Sequence, residues 1–307
     1  MKTLKQSLNE NGIKVQINNK LELAFNEALK DKEFEEFINK LKIDKSILVK
    51  YTSLLKKSCS EYSNCKNCKN VLECKNEVNG HAYLPILNKN KLIFNYKACK
   101  YQEKIYKDTA HLKNISLYSV SREVIEDVSI KKIYTNDAKR KEVITWIVNF
   151  ITNYPDCKKG LYLHGNFGCG KSYLLYVMLV ELAKKGYKST IVYWPGFINE
   201  LKTYFEDNQE FNSIINHLKN TNILFIDDIG AENLTSWSRD EILATILDYR
   251  MNNNLLTFFT SNLTLEELTN HFAITKNGEE IVKSKRIMER INKLTVDMQL
   301  ISKNLRN

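Results

Sequence analysis

Eight consecutive residues, Gly165-Asn166-Phe167-Gly168-Cys169-Gly170-Lys171-Ser172, satisfy G-x-x-x-x-G-K-[ST] at every defined position. An apolar run, Leu161-Tyr162-Leu163-His164, precedes them and a longer one, from Ser172 to Ala183, follows. The motif therefore lies between an expected strand and an expected helix. Glycines let such a loop curl until its N–H groups converge on phosphate oxygens, and the helix directs its positive N-terminal end at the same anion. Glycine is scarce here, 10 of 307 residues, yet Gly160, Gly165, Gly168 and Gly170 fall within eleven positions. Backbone freedom is concentrated where a phosphate cradle needs it. Lys171 is placed to meet the β- and γ-phosphates and Ser172 to ligate Mg²⁺. The motif implies nucleotide binding without fixing a reaction.

The surrounding pattern is α/β from about residue 136 onward. Helix 139–151 leads to strand 160–164, helix 171–184 and strand 190–194. Helices 197–206 and 210–219 follow, then strand 222–227, helix 239–252 and strand 255–260. Runs such as Ile223-Leu224-Phe225-Ile226 are apolar without alternation, as in parallel strands buried on both faces. Upstream, apolar residues at three- and four-residue steps predict short helices over 20–57, and two strands, 82–87 and 91–96, join through an Asn-Lys-Asn turn. Residues 108–135 have weak periodicity and read as a linker, giving domains at 1–107 and 136–307.

A second acidic motif lies 56 positions past Lys171. Four apolar residues deliver Asp227 and Asp228 to the carboxyl end of a buried strand. Asp227 is expected to hold Mg²⁺, directly or through water, and Asp228 to polarise the attacking water. Aspartate is a shorter base than glutamate, which predicts weak, slow ATP hydrolysis. The next apolar strand ends in Thr260-Ser261-Asn262, where Asn262 can reach the γ-phosphate and orient water; a turn or helix cap is the plainer alternative.

In this order the motifs GNFGCGKS, ILFIDDIGAENLTSW, FFTSN and SKRIMERI resemble the AAA+ ATPases, and within them the bacterial replicative helicase loaders of the DnaI/DnaC type. The resemblance implies a parallel five-stranded sheet flanked by helices, ATP as cofactor, and self-association through ATPase domains. It implies that Arg286 and Arg290 act across a subunit boundary. Their i, i+4 spacing puts both guanidiniums on one helix face, which could equally be a solvated basic face. Arg306 corresponds to an in-cis sensor of ATP, or else belongs to a frayed tail. Lys202, Phe205, Thr235 and Trp237 match positions that bind single-stranded DNA, aromatics stacking on bases and lysine neutralising phosphate; Phe205 could instead pack in the core. Partners implied are the hexameric replicative helicase, single-stranded DNA, and other primosome or initiator proteins.

Cys65-x2-Cys68 is followed by Cys74, His81 and Cys99. Five ligand candidates for a four-coordinate Zn²⁺ predict a small helical zinc-binding domain with a β-hairpin; the first choice is Cys65, Cys68 and Cys74 with either His81 or Cys99, and free thiols or a redox pair are the plainer alternative. Lys66, Lys69 and Lys75 are expected to lower the thiol pKa values. Cys59 is a further, weaker ligand candidate, whereas Cys157 and Cys169 read as structural. A zinc module of this kind resembles the N-terminal, helicase-binding domain of the DnaI type.

Net charge separates the two parts. The chain carries 46 Lys+Arg and 36 Asp+Glu; residues 1–107 hold 21 and 12 of these (+9), leaving 25 and 24 (+1) for the rest. DNA contact in the nearly neutral ATPase domain should rest on a few aromatics and lysines, while the basic N-terminal part should meet a protein surface. The N-terminus lacks an apolar signal region and no run spans a bilayer, so a cytoplasmic protein without membrane contact is expected. An IstB-type transposition helper shares the ATPase core but needs no zinc module. A duplex-reading initiator would need a further DNA-binding motif within the 17 residues after Arg290. A small-molecule kinase would need no arginines acting in trans.

Overall fold

The computed structural model describes residues 12–205, 207–276 and 278–305, with side chains from residue 19 onward. Arg306, matched above to a sensor, lies outside the described residues. The chain divides into two compact units at Asp108/Thr109.

The first unit begins with helices α1 (Gly12–Ala28), α2 (Lys32–Leu41), α3 (Lys45–Leu48) and α4 (Thr52–Lys66). The hairpin β1 (His81–Asn88) and β2 (Lys91–Ala98) follows, then α5 (Lys100–Thr109). Asp31 caps α2 by accepting from Glu33 N at 2.9 Å, so the chain can turn sharply out of α1. The helical spacing of Phe25, Phe34, Phe37, Ile38 and Leu55 gathers them into one core, which Leu92 of β2 completes. The hairpin turns at Lys89 and Asn90, both in the left-handed region (φ 46° and 64°), which matches the right-handed strand twist.

The second unit starts with β3 (Ile115–Tyr118), α6 (Arg122–Glu126) and α7 (Ala138–Asn153). Strand–helix alternation then gives β4 (Gly160–Gly165), α8 (Lys171–Lys184), β5 (Ser189–Tyr193), α9 (Trp194–Leu201), α10 (Asn208–Asn220) and β6 (Ile223–Asp227). A π-helical turn (Trp237–Leu243) runs into α11 (Ala244–Asn252), followed by β7 (Leu256–Ser261) and α12 (Leu265–Ala273). A short bridge, β8 (Ile274–Thr275) with β9 (Gly278–Glu279), precedes α13 (Ile281–Leu294) and β10 (Thr295–Leu300).

The sheet has six parallel strands in the order β10-β4-β7-β6-β5-β3, where five were expected. The supposed linker 108–135 supplies the edge: β3 pairs with β5 from Ile115 opposite Ser189 to Tyr118 opposite Val192. Four residues, with Ile115 and Leu117 packed toward one core and Tyr118 toward the other, carry too little periodicity to stand out in sequence. Alternation along the strands feeds two cores. Leu161, Leu163, Phe225 and Phe258 face one helical layer, with α8 buried nearly all round; Tyr162, Leu224, Ile226 and Phe259 face the other. β5 stops at Tyr193 because Pro195 lies in the first turn of α9, a position proline favours.

Candidate functional site

β4, β6 and β7 end side by side, with β7 between the other two, so the glycine loop, the two aspartates and Asn262 converge at the carboxyl edge of the sheet. Ligands of open α/β sheets bind at this edge. Gly165 has φ +148°, and a Cβ there would lie 2.0 Å from the Leu300 carbonyl oxygen of β10. Glycine is thus required where two backbones meet at the mouth of the loop. Around it lies a cavity of about 690 Å³ lined by Gly168, Gly170, Lys171, Ser172, Asp227, Asp228 and Asn262. This is the size class of a cofactor site.

Lys171, at the start of α8, is buried and directs Nζ back over the loop. It donates to Gly165 O (2.9 Å), Asn166 O (3.0 Å) and Asn262 Oδ1 (2.8 Å). Ser172 Oγ donates to Asp227 Oδ1 at 2.6 Å. The hydroxyls of Tyr176 (2.7 Å, to Oδ2) and Thr260 (to Oδ1) also donate to Asp227. Asp228 has φ +59°, and its backbone N–H donates to Thr260 Oγ1 at 3.0 Å. Asn262 Nδ2 donates to Asp228 Oδ1 at 3.1 Å, so this side chain bridges the loop lysine and the second aspartate. Hard oxygen donors meet at Ser172 and Asp227, a donor set that suits Mg²⁺.

Two supports for the loop are not evident from the motif. Arg140 of α7 is fully buried, donates to Cys169 O, and donates from Nε to Tyr134 O at 2.9 Å. Burial pulls its guanidinium pKa below the ordinary value. The segment after β10 clasps the loop from the other side. Asn166 Nδ2 donates to Ser302 O (2.6 Å), Ser302 N to Asn166 Oδ1 (3.2 Å), and Leu305 N to Gly168 O (2.9 Å). Cys169 is buried with Sγ toward Leu300 O, and Phe167 is exposed. Val124, Tyr134, Tyr173 and Leu305 also line the cavity. Val124 and Tyr134 come from the stretch read as linker.

Arg286 and Arg290 share α13 as their spacing requires. Arg286 is exposed; Arg290 Nη2 pairs with Asp248 Oδ1 at 2.9 Å. Neither is among the described residues lining the nucleotide cavity. Trp237 and Phe205 stack edge to face with ring centroids 4.9 Å apart, beside Phe211. Phe205 is 52% exposed, whereas Trp237 is partly covered. Lys202 is exposed next to them, while Thr235 bonds Ser238 Oγ.

In the first unit Cys65, Cys68, Cys74, His81 and Cys99 line one cavity of about 290 Å³. Among the described residues, however, no group of three or more His, Cys, Asp or Glu side chains is arranged to hold a metal ion. The expected closed zinc site is therefore not formed by these side-chain positions, although thiols and imidazole around one cavity are the donor types zinc takes. His81 Nδ1 contacts Asn79 O at 2.9 Å, and Nε2 meets the Tyr106 hydroxyl at 3.3 Å, so both ring nitrogens are engaged within the protein. The flanking lysines do not lower the Cys65 thiol: burial raises it. Lys66 is drawn instead toward Glu33 and Glu36, at 3.8 and 3.9 Å.

Residues 102–299 match the family described as IstB-like ATP binding protein. The chain is 32% identical over 293 residues, 94% of each chain, to the replicative helicase loader DnaI of Bacillus subtilis (strain 168). A crystal structure of DnaI is 38% identical with a TM-score of 0.54, covering 63% of this chain and 98% of that one. A candidate primosome component from Streptococcus pyogenes serotype M3 is 36% identical with a TM-score of 0.54, covering 64% and 98%.

Proposed function

Because the chain belongs to the IstB-like ATP-binding proteins and, within them, to the DnaI-type replicative helicase loaders, we propose that it loads the hexameric replicative DNA helicase onto single-stranded DNA with the help of Mg-ATP, during initiation or restart of chromosome replication. The identity that runs through 94% of both chains carries this reading, because it includes the first unit as well as the ATPase core. A transposition helper would share residues 102–299 and leave the first unit without a task.

In the second unit Lys171 moves its ammonium from Gly165 O, Asn166 O and Asn262 onto the β- and γ-phosphates. Ser172 and Asp227 would hold Mg²⁺, which would supply neutralisation of charge on the phosphates. Asp228, steadied by Asn262, orients the attacking water and accepts its proton. Hydrolysis is weak and is completed in trans by Arg286 and Arg290 of a neighbouring copy, with Arg306 reporting the nucleotide in cis. Phe205 and Trp237 stack on bases, with Lys202 and Thr235 on the backbone.

In the first unit four of Cys65, Cys68, Cys74, His81 and Cys99 hold a structural Zn²⁺, which contributes folding free energy rather than reaction chemistry. That unit grips the helicase, and other primosome or initiator proteins join the assembly in the cytoplasm. Full-length protein immobilised on a resin should retain the hexameric helicase in the presence and absence of ATP. Failure to retain it, with Mg-ATP binding intact, would refute the loader reading and favour another ATPase role.

A further inference from the structure

We propose that Tyr176 is a positioning residue for Asp227: its phenol fixes the carboxylate in the orientation from which that aspartate serves the magnesium ion. The inference rests on the reading of this cavity as a Mg-ATP site and adds a residue that the phosphate-loop pattern does not include.

Tyr176 stands four residues after Ser172, one helical turn along α8, so the two hydroxyls lie on one face of the helix. Both reach the same carboxylate from different sides. Ser172 Oγ donates to Asp227 Oδ1 at 2.6 Å and Tyr176 OH donates to Oδ2 at 2.7 Å. Thr260 of β7 adds a third hydroxyl on Oδ1. When Ser172 turns its oxygen to a metal ion, Thr260 and Tyr176 remain to hold the carboxylate plane.

The phenol is itself held. The Tyr176 ring packs edge to face on Phe225, with centroids 5.7 Å apart and planes at 65°. Phe225 lies two residues before Asp227 on β6, and side chains two apart share a face of the strand. One strand thus sets both the carboxylate and the ring that carries its donor. A phenol hydroxyl facing a carboxylate oxygen at this distance is the donor of the pair. Asp227 is itself buried, at 5% exposure, where a lost donor costs more than at the surface.

Tyr176→Phe keeps the ring contact and removes the donor. Titrating Mg²⁺ at fixed ATP analogue, the variant should need about tenfold more Mg²⁺ for half-maximal nucleotide binding, the effect of one charge-assisted hydrogen bond. Mg-free nucleotide affinity should stay within about twofold, and the change should vanish in an Asp227→Asn background. An unchanged Mg²⁺ midpoint in a folded Tyr176→Phe chain would overturn the inference. So would a loss of equal size in the Asp227→Asn background, because it would assign the phenol to packing alone. A wild-type chain whose nucleotide binding ignores Mg²⁺ would overturn the underlying site reading, and this proposal with it.

Discussion

Replacing Lys171 with methionine removes one positive charge from the centre of the nucleotide cavity and keeps most of the side-chain stem. The ammonium now rests on two loop carbonyls and on Asn262 Oδ1, all within 3.0 Å. On nucleotide binding it exchanges these dipoles for phosphate charge. A unit charge pair at about 4 Å is worth about 4 kcal/mol at an effective dielectric of about 20. Giving up neutral acceptors offsets part of that, leaving about 2–3 kcal/mol. ATP should then bind about 30- to 160-fold more weakly. Stability without nucleotide should change by about 1 kcal/mol or less, because the lost hydrogen bonds are offset by the removal of a buried ammonium and its desolvation cost. Titration with a fluorescent ATP analogue, alongside thermal unfolding of the free protein, measures both. A folded variant that binds ATP within about twofold of wild type would refute the placement of phosphate at Lys171.

Three further outcomes are expected. Burial depresses the pKa values of His164 and His217, so the unfolded chain binds more protons; stability should fall as pH drops below about 6.5, and His164→Gln with His217→Gln should flatten that slope in denaturant titrations. Chelation should release about one Zn²⁺ per chain and abolish helicase capture while Mg-ATP binding persists; full capture by zinc-free protein would contradict the zinc assignment. Trp237→Ala and Phe205→Ala should each weaken single-stranded DNA binding about tenfold in anisotropy titrations, with little change in salt dependence, because stacking rather than charge is lost.

The ATPase core was legible because its signals are local. A glycine cluster between two apolar runs located the loop, and Asp227 and Asp228 announced themselves at the end of a four-residue apolar strand. What escaped depends on contacts between distant segments. Arg140 lies 29 residues from the Cys169 carbonyl it holds, and Ser302 lies 136 from Asn166. β3 is a four-residue edge strand, which was read as linker for want of a pattern. Thr260 was set aside for Asn262, yet it is the Thr260 hydroxyl that meets Asp227 while Asn262 joins Lys171 to Asp228. Tyr176 had a usable signal, its one-turn spacing from Ser172, but that spacing becomes informative only when β6 is known to lie alongside α8. For the cysteines, spacing located the cluster, and the structure surrounds one cavity with all five candidates without closing a ligand set.

Loading onto covalently closed, circular single-stranded DNA tests the central claim most directly, since a closed helicase ring cannot thread onto a circle. The full-length chain with Mg-ATP should leave the hexameric helicase bound to the circle in a form that survives a high-salt wash and unwinds an annealed oligonucleotide. Lys171→Met should remove most of that product. Equal amounts of salt-stable helicase with and without this chain would contradict the account.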